Sequence, residues 1–282
     1  MAQVFRSSDP GAQVLSGLPG TLVNVLDDAL VAAGWEKQFS DTNRAAYRPP
    51  SGTRSVLYVD DRGALGDGRT AYLRGYQAMS SIDAGSGPFP TVAQALTGAA
   101  FSKSNAADST AKTWVAVVTD TAVVLANLAA GTTRYGFVFG DLDPAHNPTD
   151  PGRCVLIAGG SNGAMARSES NLTTASTDHY VAQGWQSGAS AGCCKVGNST
   201  VSGAGTAIGN GTYPYPDDVS GGFLAVPLLL AEGGRVRGVV PILHGQPHPQ
   251  TAFTDDTLHT DADGTQYVAV RFLNSAGLLR IT

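Results

Sequence analysis

The sequence predicts a mainly β protein: an antiparallel β-sandwich or barrel-like domain with one N-terminal amphipathic helix and long Gly/Ser-rich loops. Three observations carry this expectation. About ten short strand-like runs, some alternating apolar with small or polar side chains and some apolar nearly throughout, are spaced as in sandwiches and barrels. Charged residues make up 15% of the chain, against roughly 25% in ordinary globular domains, and glycine fills 35 of 282 positions. That composition suits short strands joined by tight turns, or a surface covered by neighbouring copies, and not a helical bundle. A clear helical period occurs in one stretch only. Length alone leaves one or two domains open. The organisation expected is an N-terminal arm over 1–14 and a single β-rich domain over 15–282, with 159–210 a loop-rich excursion.

Taken in order, the polar first dozen residues read as an arm that needs a tie, of which a particle or oligomer contact would be one kind. From Thr21 to Ala33, the residues Leu22, Val25, Leu26, Ala29, Leu30 and Ala33 share one helical face. Thr21 is the expected N-cap and Gly34 the expected C′ residue. Trp35 and Phe39 are expected to fold back on the apolar face of this helix. Asn43 to Arg48 reads as a strand ended by Pro49-Pro50. Ser55 to Val59 and Ala71 to Met79 read as a hairpin around Gly63, Gly66 and Gly68, closed by the loop Gly87-Pro88-Phe89-Pro90. Pro90 to Leu96 suggests one helical turn, and Ala100 to Lys112 an irregular polar segment.

Thr113 to Leu128 forms a second expected hairpin turning at Thr119-Asp120-Thr121, apolar enough that both faces should be covered. Tyr135 to Phe139 and Cys154 to Ala158 are further strands, joined by a three-proline loop expected to be stiff and exposed. The region 159–210 is too poor in large apolar residues to bury much area, with Tyr180, Val181 and Trp185 as its anchors. Closing strands are expected over Gly222 to Ala231, Arg235 to Leu243, Tyr267 to Leu273 and Gly277 to Ile281, the first pair turning at Glu232-Gly233-Gly234. Pro227 and Pro241 inside these runs argue for edges or bulges.

The residues give no catalytic, cofactor-binding or metal site, and the chain reads as a non-enzyme without cofactors. Gly188-Ala189-Ser190-Ala191-Gly192 matches a nucleophile-elbow pattern but lacks the strand before and helix after that the chemistry needs. Asp255, Asp256, Asp261 and Asp263 crowd one loop without EF-hand spacing, and read as a solvated acidic turn rather than a divalent-ion site. His244, His248 and His259 lack partners at ligand spacing and read as an exposed turn rather than a metal or pH-switch site; Cys154, Cys193 and Cys194 lack such partners too and imply no disulfide framework. Asp60-Asp61 and Asp217-Asp218 read as caps at strand or loop ends. Gly159 to Gly163 lacks the Lys-Ser/Thr ending of a phosphate loop, and the sequons at Asn171, Asn198 and Asn210 read as composition. A net charge of -5 without a basic cluster disfavours direct nucleic-acid binding. No leader and no apolar run near the ~18 residues of a membrane span are read in the chain, so a cytosolic origin without membrane insertion is expected.

The runs GTLVNVLDDALVAAGWEKQF, TNRAAYR, SVLYVDD, AYLRGYQAMSSIDAGSGPFPT and YPYPDDVSGGFLAVPLLLAEGGRVRGVVPILH occur in this order. In order and wording the chain, outside 159–210, resembles a family of uncharacterised virion structural proteins of tailed bacteriophages. The most specific wording is Arg74-Gly75-Tyr76 followed by Gly87 to Pro90, and Val236-Arg237-Gly238 through His244. The resemblance transfers no catalytic or cofactor residue. It implies a virion component assembled in the host cytoplasm, present in many copies, working through binding surfaces. A capsid-associated decoration or cement protein is the reading preferred; a tail or baseplate protein, or a receptor- or carbohydrate-binding module using TYPYP at Thr212 to Pro216, are the others. Its partners would be the major capsid protein or tail proteins, and further copies of itself.

Overall fold

The computed structural model describes residues 1–63, 68–128, 135–144, 152–158, 179–182, 192–195, 226–232, 235–245, 254–261, 263–272 and 275–282. In chain order its elements are β1 (Gln3–Arg6), α1 (Thr21–Ala32), β2 (Glu36–Asp41), β3 (Arg44–Arg48), β4 (Val56–Asp60), β5 (Thr70–Tyr76), β6 (Ala78–Ser81), β7 (Ala84–Ser86) and β8 (Ala99–Ser102). The middle of the chain forms β9 (Trp114–Val118), β10 (Ala122–Asn127), β11 (Tyr135–Asp141), β12 (Asp143–Pro144), β13 (Arg153–Ala158), β14 (His179–Val181) and β15 (Gly192–Lys195). The last are β16 (Val226–Glu232), β17 (Arg235–Gly245), β18 (Leu258–Thr260), β19 (Gln266–Phe272) and β20 (Ser275–Arg280). The protein is thus mainly β, with α1 the one helix among the described residues.

The strands pair antiparallel into a central sheet, β1-β9-β10-β11-β13-β14, a five-stranded sheet, β2-β3-β4-β5-β8, a C-terminal sheet, β15-β16-β17-β20-β19-β18 with β12 beside β17, and the β6-β7 hairpin. Period-2 geometry explains the continuous apolar runs of β9 and β10. Trp114, Ala116, Val118, Val123 and Leu125 enter one core with α1 and the five-stranded sheet, together with Phe137 and Phe139 of β11. The alternate residues Val115, Val117, Val124, Ala126 and Val138 enter a second core with Val240, Leu243, Val268, Val270 and Leu279 of the C-terminal sheet. β9, β10 and the middle of β11 are therefore buried on both faces, as their continuous apolar sequence requires. Residues Gln3–Arg6 of the arm pair with β9, and Arg6 Nε donates to Asp256 Oδ1 at 2.8 Å, so this part of the arm is held by the chain itself.

The two ends of α1 differ. At its C-terminus Gly34 takes φ +88, its N–H reaches Val31 O and the Trp35 N–H reaches Leu30 O, the paired bonds of a Schellman motif, with Trp35 and Leu30 both buried. Trp35 then meets Phe139 edge-on at 6.2 Å and its Nε1 donates to Thr119 O. At the N-terminus the cap position belongs to Gly20, not to Thr21 as the sequence suggests, and no side chain of the segment caps the helix. Thr21 Oγ1 instead donates back to Ser16 O and Leu18 O, and the cap comes from Asp61, thirty-nine positions along the chain.

The expected hairpin exists, β4 pairing β5 from Val56 opposite Tyr76 to Asp60 opposite Tyr72. Its second run breaks at Gln77, beyond which β6 and β7 make a separate hairpin. Gly75 and Phe89 exchange backbone hydrogen bonds at 2.8 Å, and a Cβ on Gly75 would lie 2.2 Å from the Phe89 ring. Glycine at 75 thus makes room for a buried phenyl group that stacks on Phe139 at 6.1 Å. At Thr91 the expected turn forms, with Thr91 and Gln94 capping each other's amides.

Other expectations change. Phe39 packs on the opposite face of the five-stranded sheet, against Ala46, Val56 and Met79, because a register shift between Lys37 and Phe39 turns β2 there. Ala99–Ser102 is an edge strand on β5 rather than part of an irregular segment. Within 159–210 the chain returns twice to strand pairing, β14 on β13 and β15 on β16. The proline expectation holds where β16 and β17 fall out of register between Pro227 and Leu229, opposite a stretch of β17 that contains Pro241 and Ile242 at φ +65.

Candidate functional site

Charged chemistry gathers under the N-terminus of α1. Leu57 and Val59 of β4 point into the first core and Asp61 continues their alternation; Ala99 and Phe101 of β8 point the same way and Lys103 continues theirs. Because β5 separates β4 from β8 and pairs antiparallel with both, the two strand ends emerge on the same side of the sheet. Asp61 and Lys103 meet there, both 0% exposed, with the ammonium on Asp61 Oδ1. Asp61 Oδ2 accepts the Leu22 N–H of the first helical turn at 2.8 Å, where the helix dipole also favours negative charge. Lys103 Nζ donates to Leu18 O at 2.6 Å and reaches Thr21 Oγ1 at 3.4 Å. Burial pushes the Asp61 carboxyl up to about 6, against the opposing pull of Lys103 and of the helix amides. A buried pair persists only when such neighbours satisfy its remaining donors and acceptors.

The reading of Asp60-Asp61 as capping residues is met in both positions: Asp61 caps the helix, and Asp60 Oδ1 accepts the Arg62 N–H at 3.2 Å. Lys103 is the residue that sequence reasoning missed. Its one signal is that Ala99, Phe101 and Lys103 alternate in phase, which a polar setting of Ser102, Ser104 and Asn105 conceals.

A second charged cluster lies on the outer face of the five-stranded sheet. Arg44, 9% exposed, bridges Asp41 and Asp83, and Arg62 holds Asp60 by two bonds, Nε to Oδ1 at 2.9 Å and Nη2 to Oδ2 at 2.6 Å. The Arg44 guanidinium holds Asp41 below the usual carboxylate range. Here too the ions are engaged with one another.

In the acidic loop Asp256 meets Arg6, while Asp263 is held below the usual range by the Thr265 side chain and then by the Thr265 N–H, which donates to Asp263 Oδ1 at 2.8 Å. His244 lies edge-on to Tyr267 at 5.5 Å with Nδ1 near Ile242 O, and burial lowers its pKa; His259 Nε2 pairs with Thr257 Oγ1 at 2.8 Å. Among the described residues no three His, Cys, Asp or Glu side chains are grouped to hold a metal ion. Cys154 lies on β13 and Cys193 and Cys194 on β15. His248, Ser190 of the elbow-like run, Gly159 to Gly163, the three sequons, Trp185, Asp217-Asp218 and the TYPYP run lie outside the described residues. An open groove of about 510 Å³ is lined by Met1, Ala2, Thr119, Ile242, Arg280, Ile281 and Thr282. No helix among the described residues is long and apolar enough to cross a membrane.

Compared with known proteins, the chain matches no family model and no curated protein.

Proposed function

We propose that this chain is a structural component of a tailed-bacteriophage virion, a capsid-associated decoration or cement protein that stabilises the particle through contacts between subunits. The observation that carries the reading is the wording of the Ser55 to Thr91 hairpin and of the Val236 to His244 strand, which resembles that of virion structural proteins. The use of charge within the fold supports it. Asp61 and Lys103 fasten a helix to a sheet, Arg44 and Arg62 tie strand ends, and Asp256 anchors the first strand. These groups serve rigidity, which a particle subunit needs, and each is engaged with a neighbour rather than aimed into a cleft. The contacts would be repeated and symmetric, as in other closed homo-oligomers.

Mass spectrometry of purified heads and of purified tails, separated from the same lysate, tests this. The protein is expected in heads at a copy number scaling with the major capsid protein. Recovery in tails alone would replace the capsid role by a tail or baseplate role, and absence from both would remove the virion reading altogether.

A further inference from the structure

We propose that Asp61 and Lys103 are a self-modifying site at which the lysine amine condenses with the aspartate carboxyl to form an intramolecular isopeptide bond. This inference rests on the geometry under α1 and not on the virion reading. The parts that such a condensation requires are in place. The nucleophilic nitrogen and the electrophilic carboxyl are in direct contact, both 0% exposed. Strand ends of one sheet and the helix above fix both groups, which gives an intramolecular reaction its advantage.

The balance needs no co-reactant. In a site closed to solvent, transfer of one proton from ammonium to carboxylate turns two buried charges into a neutral amine and a neutral acid. Burial raises the Asp61 carboxyl and so lowers the cost of this transfer. The Lys103 Nζ lone pair attacks Cγ, one bond beyond the oxygen it touches. Negative charge then develops on Oδ2, which the Leu22 N–H holds at 2.8 Å at the positive end of the helix dipole, the placement of an oxyanion donor. The proton shed by nitrogen passes, directly or over the Thr21 hydroxyl 3.4 Å away, to Oδ1, which departs as water. The C–O bond to Oδ1 breaks, the C–N bond forms, and nothing is oxidised or reduced. Oδ2 remains as the amide oxygen and keeps the Leu22 N–H as its donor.

The product would covalently join the ends of β4 and β8 across β5, beneath the helix that both strands carry. Like a disulfide, it would act mainly by constraining the unfolded chain, but it would be indifferent to reductants.

Intact-mass spectrometry of the full-length chain under denaturing conditions tests the proposal. The expected mass is that of the sequence less one water, with proteolysis releasing a branched peptide that joins the segments around Asp61 and Lys103. Lys103→Arg and Asp61→Ala chains should each show the full linear mass, a readout that does not depend on their folding. Wild-type chain that keeps its full linear mass after prolonged incubation in the folded state would overturn the proposal. So would a loss of water that survives in Lys103→Arg, since it would then belong to an aspartate cyclising elsewhere.

Discussion

The two ends of α1 are held in opposite ways. Its C-terminus is closed by its own neighbours, with Gly34 in the left-handed region and Trp35 folding back on Leu30. Its N-terminus offers the cap position to a glycine and takes its carboxylate from a strand end, with a lysine from a third part of the chain neutralising that carboxylate. The first device is local and requires only a tight turn. The second exists only once β4, β5, β8 and the helix are assembled, so it reports on the whole of this core. A fold can therefore be locally specified at one end of an element and globally specified at the other.

The largest effect expected is at the global end. Asp61→Ala leaves a buried ammonium and a helix amide without their partner and should cost about 3–5 kcal/mol in urea unfolding; Asp61→Leu/Lys103→Met together should recover this electrostatic part but not the added constraint of the cross-link. A small cost for the single change would place the pair outside the cooperative core. Phe89→Ala should follow at about 3–5 kcal/mol, because a buried ring is lost from the stack on Phe139. Gly75→Ala should cost about 1–3 kcal/mol through overpacking against that ring. In the Phe89→Ala background the same Gly75→Ala change should become nearly neutral, and strict additivity of the two would show that ring and glycine do not share the space.

At the local end, Gly34→Ala should cost only about 1–2 kcal/mol, the penalty of a Cβ in the left-handed region. The smallest effect concerns pH. Burial depresses the pKa of His244, so its contribution to stability is present above the unfolded value of about 6.5 and is lost as pH falls through the lower folded value. Stability measured against pH should therefore decline on acidification more for wild type than for His244→Gln. Parallel curves would mean that this ring is not desolvated in the fold.

The same division governs what was legible in the sequence. The helix, the Gly34 cap, both hairpins and the doubly covered β9 and β10 follow from local periodicity and turn residues within one continuous stretch of chain each. At Thr21 the local signal misleads because a good capping residue is present while the carboxylate that caps the helix sits just past the end of β4. At Phe39 it misleads because a register shift cannot be read from one strand alone. Lys103 was invisible because its burial depends on the phase of β8, and Ser102, Ser104 and Asn105 around it read as a loop. The candidate site is therefore half legible: the carboxylate reads as a cap, while its pairing with the α1 N-terminus and with Lys103 does not.

The claim that the fold is fastened through the base of α1 is tested most directly by native-state hydrogen exchange at the Leu22 amide. If Asp61 and Lys103 hold that end as part of the core, Leu22 should exchange only through global unfolding, as slowly as Val117 and Leu125 of the central sheet. Exchange at the rate of a fraying first turn, with the central strands still protected, would contradict the account.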